Sequence, residues 1–112
     1  MADMSLNLSI YNNTSDTFNL QSCSGISQPQ MTLNPGDTTA PPCNATSDFQ
    51  IKGHVTYLNA NDSGKSFTVN FYMPVIGGNS FSVDDVPGET YDGSFSDESG
   101  WNLSTTATIT AT

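Results

Sequence analysis

An antiparallel β-sandwich forming a single domain over residues 1–112 is the fold this sequence predicts, and three observations predict it. Apolar residues alternate with polar ones through most of the chain, which is the period of a half-buried strand. Clusters of Gly, Pro, Asn and Asp interrupt the alternation every roughly 8 to 12 residues, the turn spacing of all-β domains. No segment carries a helical period. Together these predict about eight short strands, with a closed barrel as the alternative, and the lack of a fixed internal repeat disfavours a propeller or trefoil.

The clearest strand pair lies in Lys65–Asp85. Phe67, Val69, Phe71 and Met73 occupy every second position, Pro74 stops the run, and Gly77-Gly78-Asn79 turns the chain before Phe81 and Val83 resume the pattern. The remaining strands are expected to assemble around this hairpin. Leu6, Leu8 and Ile10 alternate in a first strand over Ser5–Tyr11. Asn12–Asp16 forms its turn, and Thr17–Ser22, with Phe18 and Leu20 inward, is expected to pair back on it as a hairpin. Met31 and Leu33 make a brief third strand that ends at Asn34-Pro35-Gly36-Asp37.

Thr38–Ser47, with Pro41, Pro42 and Cys43, reads as an extended crossover rather than a regular element. Asp48–Tyr57 is the next strand, with Phe49, Ile51, Gly53, Val55 and Tyr57 on its core face and His54 on the other. Asn59–Gly64 turns into the central hairpin. Tyr91, Gly93 and Phe95 define a further strand, and Ala107, Ile109 and Ala111 alternate with threonines in the last. Phe49, Ile51, Phe67, Val69, Phe71 and Phe81 are the expected core.

Charge excludes some functions. Eleven Asp and Glu face only Lys52 and Lys65, with no arginine, for a net charge of -9. Nucleic acid and anionic lipid are therefore repelled, whereas a neutral head group or a sugar is not. No apolar run approaches the roughly 18 residues of a spanning helix, and residues 1–20 lack the basic and apolar regions of a signal peptide. A soluble protein is expected, either cytoplasmic or exported by a non-classical route. Cys23 and Cys43 form either one disulfide or a close free pair.

Catalytic signals are thin. His54 has no accompanying nucleophile motif and reads as a solvated surface residue, and the acidic pairs Asp84-Asp85 and Asp97-Glu98 fall in turns, so no enzyme and no cofactor are expected. Asn59–Gly64 resembles the start of an EF-hand loop, but Asn70 stands where its twelfth-position glutamate should be. A loose Ca²⁺ site built from Asp84, Asp85, Glu89 and Asp92 is the metal reading; a solvated acidic turn is the alternative. Aromatics are more informative. Tyr72 is out of phase with the core face, and Val75 and Ile76 are apolar residues in a loop that should be exposed. Such a combination suits a water–lipid interface or the face of a sugar ring, unless Tyr72 only covers a neighbouring strand and the loop residues tuck under.

Gly53–Tyr57, Gly64-Lys65, Phe71-Tyr72-Met73-Pro74, Gly77–Val83, Tyr91, Asn102-Leu103-Ser104 and Ala107-Thr108-Ile109-Thr110, with the opening Leu8–Ser15, resemble the aegerolysins, small acidic β-sandwich proteins. The chain departs from that family at Met73-Pro74-Val75-Ile76-Gly77-Gly78, where a Cys-Pro-Trp-Gly core is usual. The resemblance implies a membrane-lipid-binding module, sometimes acting with a larger pore-forming partner as a cytolysin, and its expected contact residues here are Tyr72, Val75, Ile76 and Trp101. The alternatives from other classes are a lectin-like protein using the Asn59–Gly64 or Asp84–Asp92 turns, and a self-associating structural or storage protein.

Overall fold

Met4, Leu6, Leu8 and Ile10 are all fully buried while the residues between them are partly exposed, so the first strand, β1 (Met4–Asn13), turns one complete face into the core. It opens a structure, obtained as a computed structural model, that describes residues 3–112. Eight more strands follow: β2 (Phe18–Ser24), β3 (Thr32–Leu33), β4 (Cys43–Ser47), β5 (Gln50–Asn59), β6 (Asp62–Pro74), β7 (Ser80–Val86), β8 (Tyr91–Phe95) and β9 (Asn102–Ala111). They form a four-stranded sheet ordered β4-β1-β9-β8 and a five-stranded sheet ordered β3-β2-β5-β6-β7. The predicted β-sandwich is present.

The core lies between the sheets. Leu6, Leu8, Ile10, Leu103, Ala107 and Ile109 come from one side and Phe18, Val55, Tyr57, Phe67, Val69 and Phe71 from the other. Phe67 is its aromatic centre, edge-on to Phe18 at 4.8 Å and stacked on Tyr57 at 5.5 Å. Such pairs add about 0.5–1.5 kcal/mol to their area burial. The predicted central hairpin is β6–β7, in register from Ser66↔Val86 to Tyr72↔Ser80.

Pairing is where expectation and structure part. The first two strands do not form a hairpin: β1 lies antiparallel to β4 and parallel to β9, while β2 joins β3 and β5 in the other sheet. Residues 14–17 carry the chain across the sandwich instead. Asn12 holds that crossing, its side-chain amide donating to the carbonyls of Asp16 (2.7 Å) and Leu33 (3.1 Å). The parallel β1–β9 pair also makes the four-stranded sheet mixed.

Thr38–Ser47 is likewise only half a crossover. Thr38 bridges Tyr11, but Cys43–Ser47 is a regular strand on the edge of the β1 sheet, and it brings the total to nine. Asn59–Gly64 is shorter as a turn than expected, because β5 and β6 reach to Asn59 and Asp62 and leave Ala60-Asn61 between them.

Phe49 corrects the core. It is 79% exposed, because the alternation was carried one residue beyond β5 into a bend. There the Ser47 hydroxyl accepts the amides of both Phe49 (3.1 Å) and Gln50 (3.2 Å) and turns the phenyl ring outward. Phe81 is only partly buried, packed against Phe95 at 5.3 Å on the side where β7 meets β8.

The cysteines are free thiols, not the disulfide that was one of the two expectations. Cys23 belongs to β2 and Cys43 to β4, so one thiol comes from each sheet. Burial pushes the Cys43 thiol up to about 11, and the neighbouring Cys23 adds to the shift. Tyr57, whose hydroxyl donates to the Gln30 carbonyl (2.6 Å), is also held neutral well above its ordinary range, by burial first and by the two thiols second.

Candidate functional site

Pro74 ends β6 at the same end of the sandwich where Gln50 begins β5, and these two residues are paired. The β6–β7 loop therefore emerges beside the β4–β5 bend. Val75 is 45% exposed and Ile76 87% exposed in the first, and Phe49 stands out of the second. From the other sheet the β8–β9 loop arrives with Trp101, 45% exposed. Two hydrogen bonds seat that loop: Ser5 N donates to the Trp101 carbonyl (2.8 Å), and Asn79 Nδ2 in the β6–β7 loop donates to the Gly100 carbonyl (2.8 Å). Three connections from both sheets thus place Phe49, Val75, Ile76 and Trp101 on one tip.

The tip has a cleft of about 540 Å³ where the two loops meet, lined by Gly77, Gly78, Asn79, Glu98, Ser99, Gly100 and Trp101. Acidic residues surround it. Asp48, beside Phe49, accepts the Asp3 amide (3.1 Å), and Asp97 folds the approach to Trp101 by accepting from the Ser99 amide (3.2 Å). The apolar tip is therefore rimmed by carboxylates.

Three of the four expected contact residues, Val75, Ile76 and Trp101, are brought together. Tyr72 points outward as expected, 38% exposed, but its ring lies on the outer face of the five-stranded sheet with Lys52 Nζ above it, 5.7 Å from the centroid. Phe49 is the tip residue that sequence reasoning missed. The signal that could have found it is Ser47-Asp48 immediately before it, small polar residues that favour a local turn over a strand start.

The expected cation ligands do not assemble. Among the described residues no group of three or more His, Cys, Asp or Glu is arranged to hold a metal ion. One Asp85 oxygen instead accepts the amides of Thr90 (2.6 Å) and Tyr91 (2.8 Å), closing the β7–β8 turn. Asp84 accepts from Asn70 Nδ2 (2.8 Å), and Glu89 and Asp92 are exposed in and after that turn. The Asp84–Asp92 segment is the end of β7, a turn over residues 87–90 and the start of β8.

These features define a class: an all-β sandwich with an apolar, acid-rimmed tip built from loops of both sheets. Two solved structures share its fold. RahU, determined in complex with a TRIS molecule, aligns with a TM-score of 0.69 at 11% identity over 100% of this chain and 98% of its own. IP-1A from Alcaligenes faecalis aligns with a TM-score of 0.62 at 9% identity over 96% and 91%. At such identities the likeness is one of fold. No family model matches the chain, and neither does the sequence of any curated protein. No helix among the described residues is long and apolar enough to cross a membrane.

Proposed function

We propose that this chain is a non-enzymatic, aegerolysin-like module that docks on membrane lipid through its apolar tip. The observation that carries the reading is the convergence of Phe49, Val75, Ile76 and Trp101, exposed, on one end of the sandwich. Moving a Phe or Ile side chain from water into an apolar layer is worth about 1.5–3 kcal/mol. Phe49 and Ile76 together supply on the order of 3–6 kcal/mol, the scale of reversible attachment rather than permanent insertion. Trp101 adds a ring with a polar edge, suited to the interface itself. The net charge of -9 selects neutral over anionic head groups.

Sedimentation with neutral phosphatidylcholine vesicles and sphingolipid-containing vesicles tests this, with a glycan array run with and without EDTA to detect lectin activity. Phe49→Ser and Ile76→Ser should each lower vesicle binding about tenfold, since about 1.4 kcal/mol is a factor of ten. Lys65→Gln, at the far end, should leave it unchanged. Wild-type protein that stays in solution with every neutral mixture, or tip variants that sediment as well as wild type, would overturn the reading.

A further inference from the structure

We infer that the outer face of the five-stranded sheet carries a second site, an oxyanion pocket that takes a phosphate or sulfate ester. The chain's only basic side chains are Lys52, Lys65 and His54. Two of them line one open pocket of about 510 Å³, together with Ser24, Gln50, Asn70 and Tyr72. In a chain this acidic, the pocket sets one of the two lysines beside the single histidine.

The geometry suits a tetrahedral anion. Lys52 and His54 are two residues apart on one strand, so they leave the same face about 7 Å from one another and bracket a small group between them. Lys52 has no carboxylate partner among the described residues: the salt bridge there joins Lys65 and Asp62, and Lys52 Nζ lies over the Tyr72 ring. Gln50 and Ser24 add neutral donors. Asp84, on β7, is the acid that reaches this face, and the Asn70 amide holds it at 2.8 Å. Lysine and neutral donors around an open depression match the several acceptor oxygens of a phosphate or sulfate. The volume leaves room for the organic group that carries it.

Two sources supply this chemistry, a soluble ester and the phosphodiester of a lipid head group. The second fits the tip reading. Lys52 lies three residues from Phe49, at most about 10 Å of chain, within reach of a head-group layer above an inserted phenyl ring. The pocket does not depend on that reading, because a free anion tests it without lipid.

The experiment is an amide-resolved NMR titration with sodium sulfate and with inorganic phosphate, against sodium chloride at matched ionic strength. Saturable shifts centred on residues 50–54 and 70–72 are expected. Lys52→Gln should weaken binding about tenfold, as expected for a lost charged hydrogen bond, and Lys65→Gln should not. Shifts that never saturate, that persist unchanged in Lys52→Gln, or that glucose reproduces would overturn the site. Phosphatidylcholine vesicles and vesicles of a phosphate-free glycolipid then separate the sources. A loss of binding in Lys52→Gln confined to the first assigns the pocket to the head group; binding to both alike assigns it to a soluble ester. A tip that fails to bind vesicles leaves the sulfate titration standing.

Discussion

Phe49 and Phe71 are equally apolar, one just before the β5–β6 ladder and the other within it, yet one is 79% exposed and the other 2%. Phe71→Ala should cost about 3–5 kcal/mol, the range for a buried phenylalanine. Phe49→Ala should fall within about 0.5 kcal/mol of wild type, as surface changes do. Urea unfolding of both variants checks the contrast, and equal losses would contradict the bend at Ser47. Alternation made Phe71 legible because four apolar residues share its phase. Phe49 had the same phase in the sequence and lost it in space, through a serine hydroxyl that no periodicity records. A second residue-scale expectation concerns alkali. Cys43, Tyr57 and Tyr91 all have pKa values raised by burial, so above pH 9 the unfolded chain binds fewer protons than the folded one. Stability is fully present below that pH. It should then fall with a slope of about 1.4 kcal/mol per pH unit for each group released only on unfolding, beginning with Cys43 between its ordinary 9.0 and its folded value of about 11. Thermal melts from pH 8 to pH 11 read this directly, and Cys43→Ala should delay its onset.

Strands β7 and β8 belong to different sheets yet close one side of the sandwich, and Gly93 is what lets them meet. A Cβ at Gly93 would run into the Val83 side chain. Gly93→Ala should therefore destabilise by about 1–3 kcal/mol, as overpacking does. The double variant Gly93→Ala, Val83→Ala should recover part of that loss, giving a coupling that a double-mutant cycle measures. Additive losses would mean that the two strands do not press on one another. At this scale the sequence was legible for every strand except β4: the apolar phase runs through several residues in most of them, and Phe18 with Leu20 and Leu33 marked β2 and the brief β3. It was silent on partners. Alternation specifies which face of β1 is buried, not that its neighbours are β4 and β9, and a β1–β2 hairpin satisfies the same pattern. Strand β4 escaped because Cys43–Ser47 follows two prolines and fully buries only one of its five residues, leaving little hydrophobic contrast to detect.

Across the whole molecule, the tip joins apolar surface to a rim that includes Asp48, Asp97 and Glu98, and this sets how association should respond to conditions. Carboxylates near an apolar layer oppose docking, so removing their charge should favour it. Asp48→Asn combined with Glu98→Gln should strengthen binding to neutral vesicles several-fold, and raising salt to about 0.5 M should partly mimic that effect by shortening the Debye length. Vesicle sedimentation reads both, and binding that weakens in the neutralised variant would assign those carboxylates to head-group contact instead. The tip was only half legible because it is assembled from three connections distant in sequence: Val75-Ile76 stood out locally, whereas their meeting with Phe49 and Trp101 depends on strand order. The parallel β1–β9 pair has one more consequence, for handling. Both strands start at the tip and run away from it, so Ala111 lies at the opposite end, about 30 Å along β9, in a molecule whose long axis is 42 Å. A fluorophore or surface tether fused after Thr112 would hold the apolar end free and outward, while the same tether placed ahead of Asp3 would crowd the Asp48–Phe49 bend, part of the tip proposed to dock on lipid.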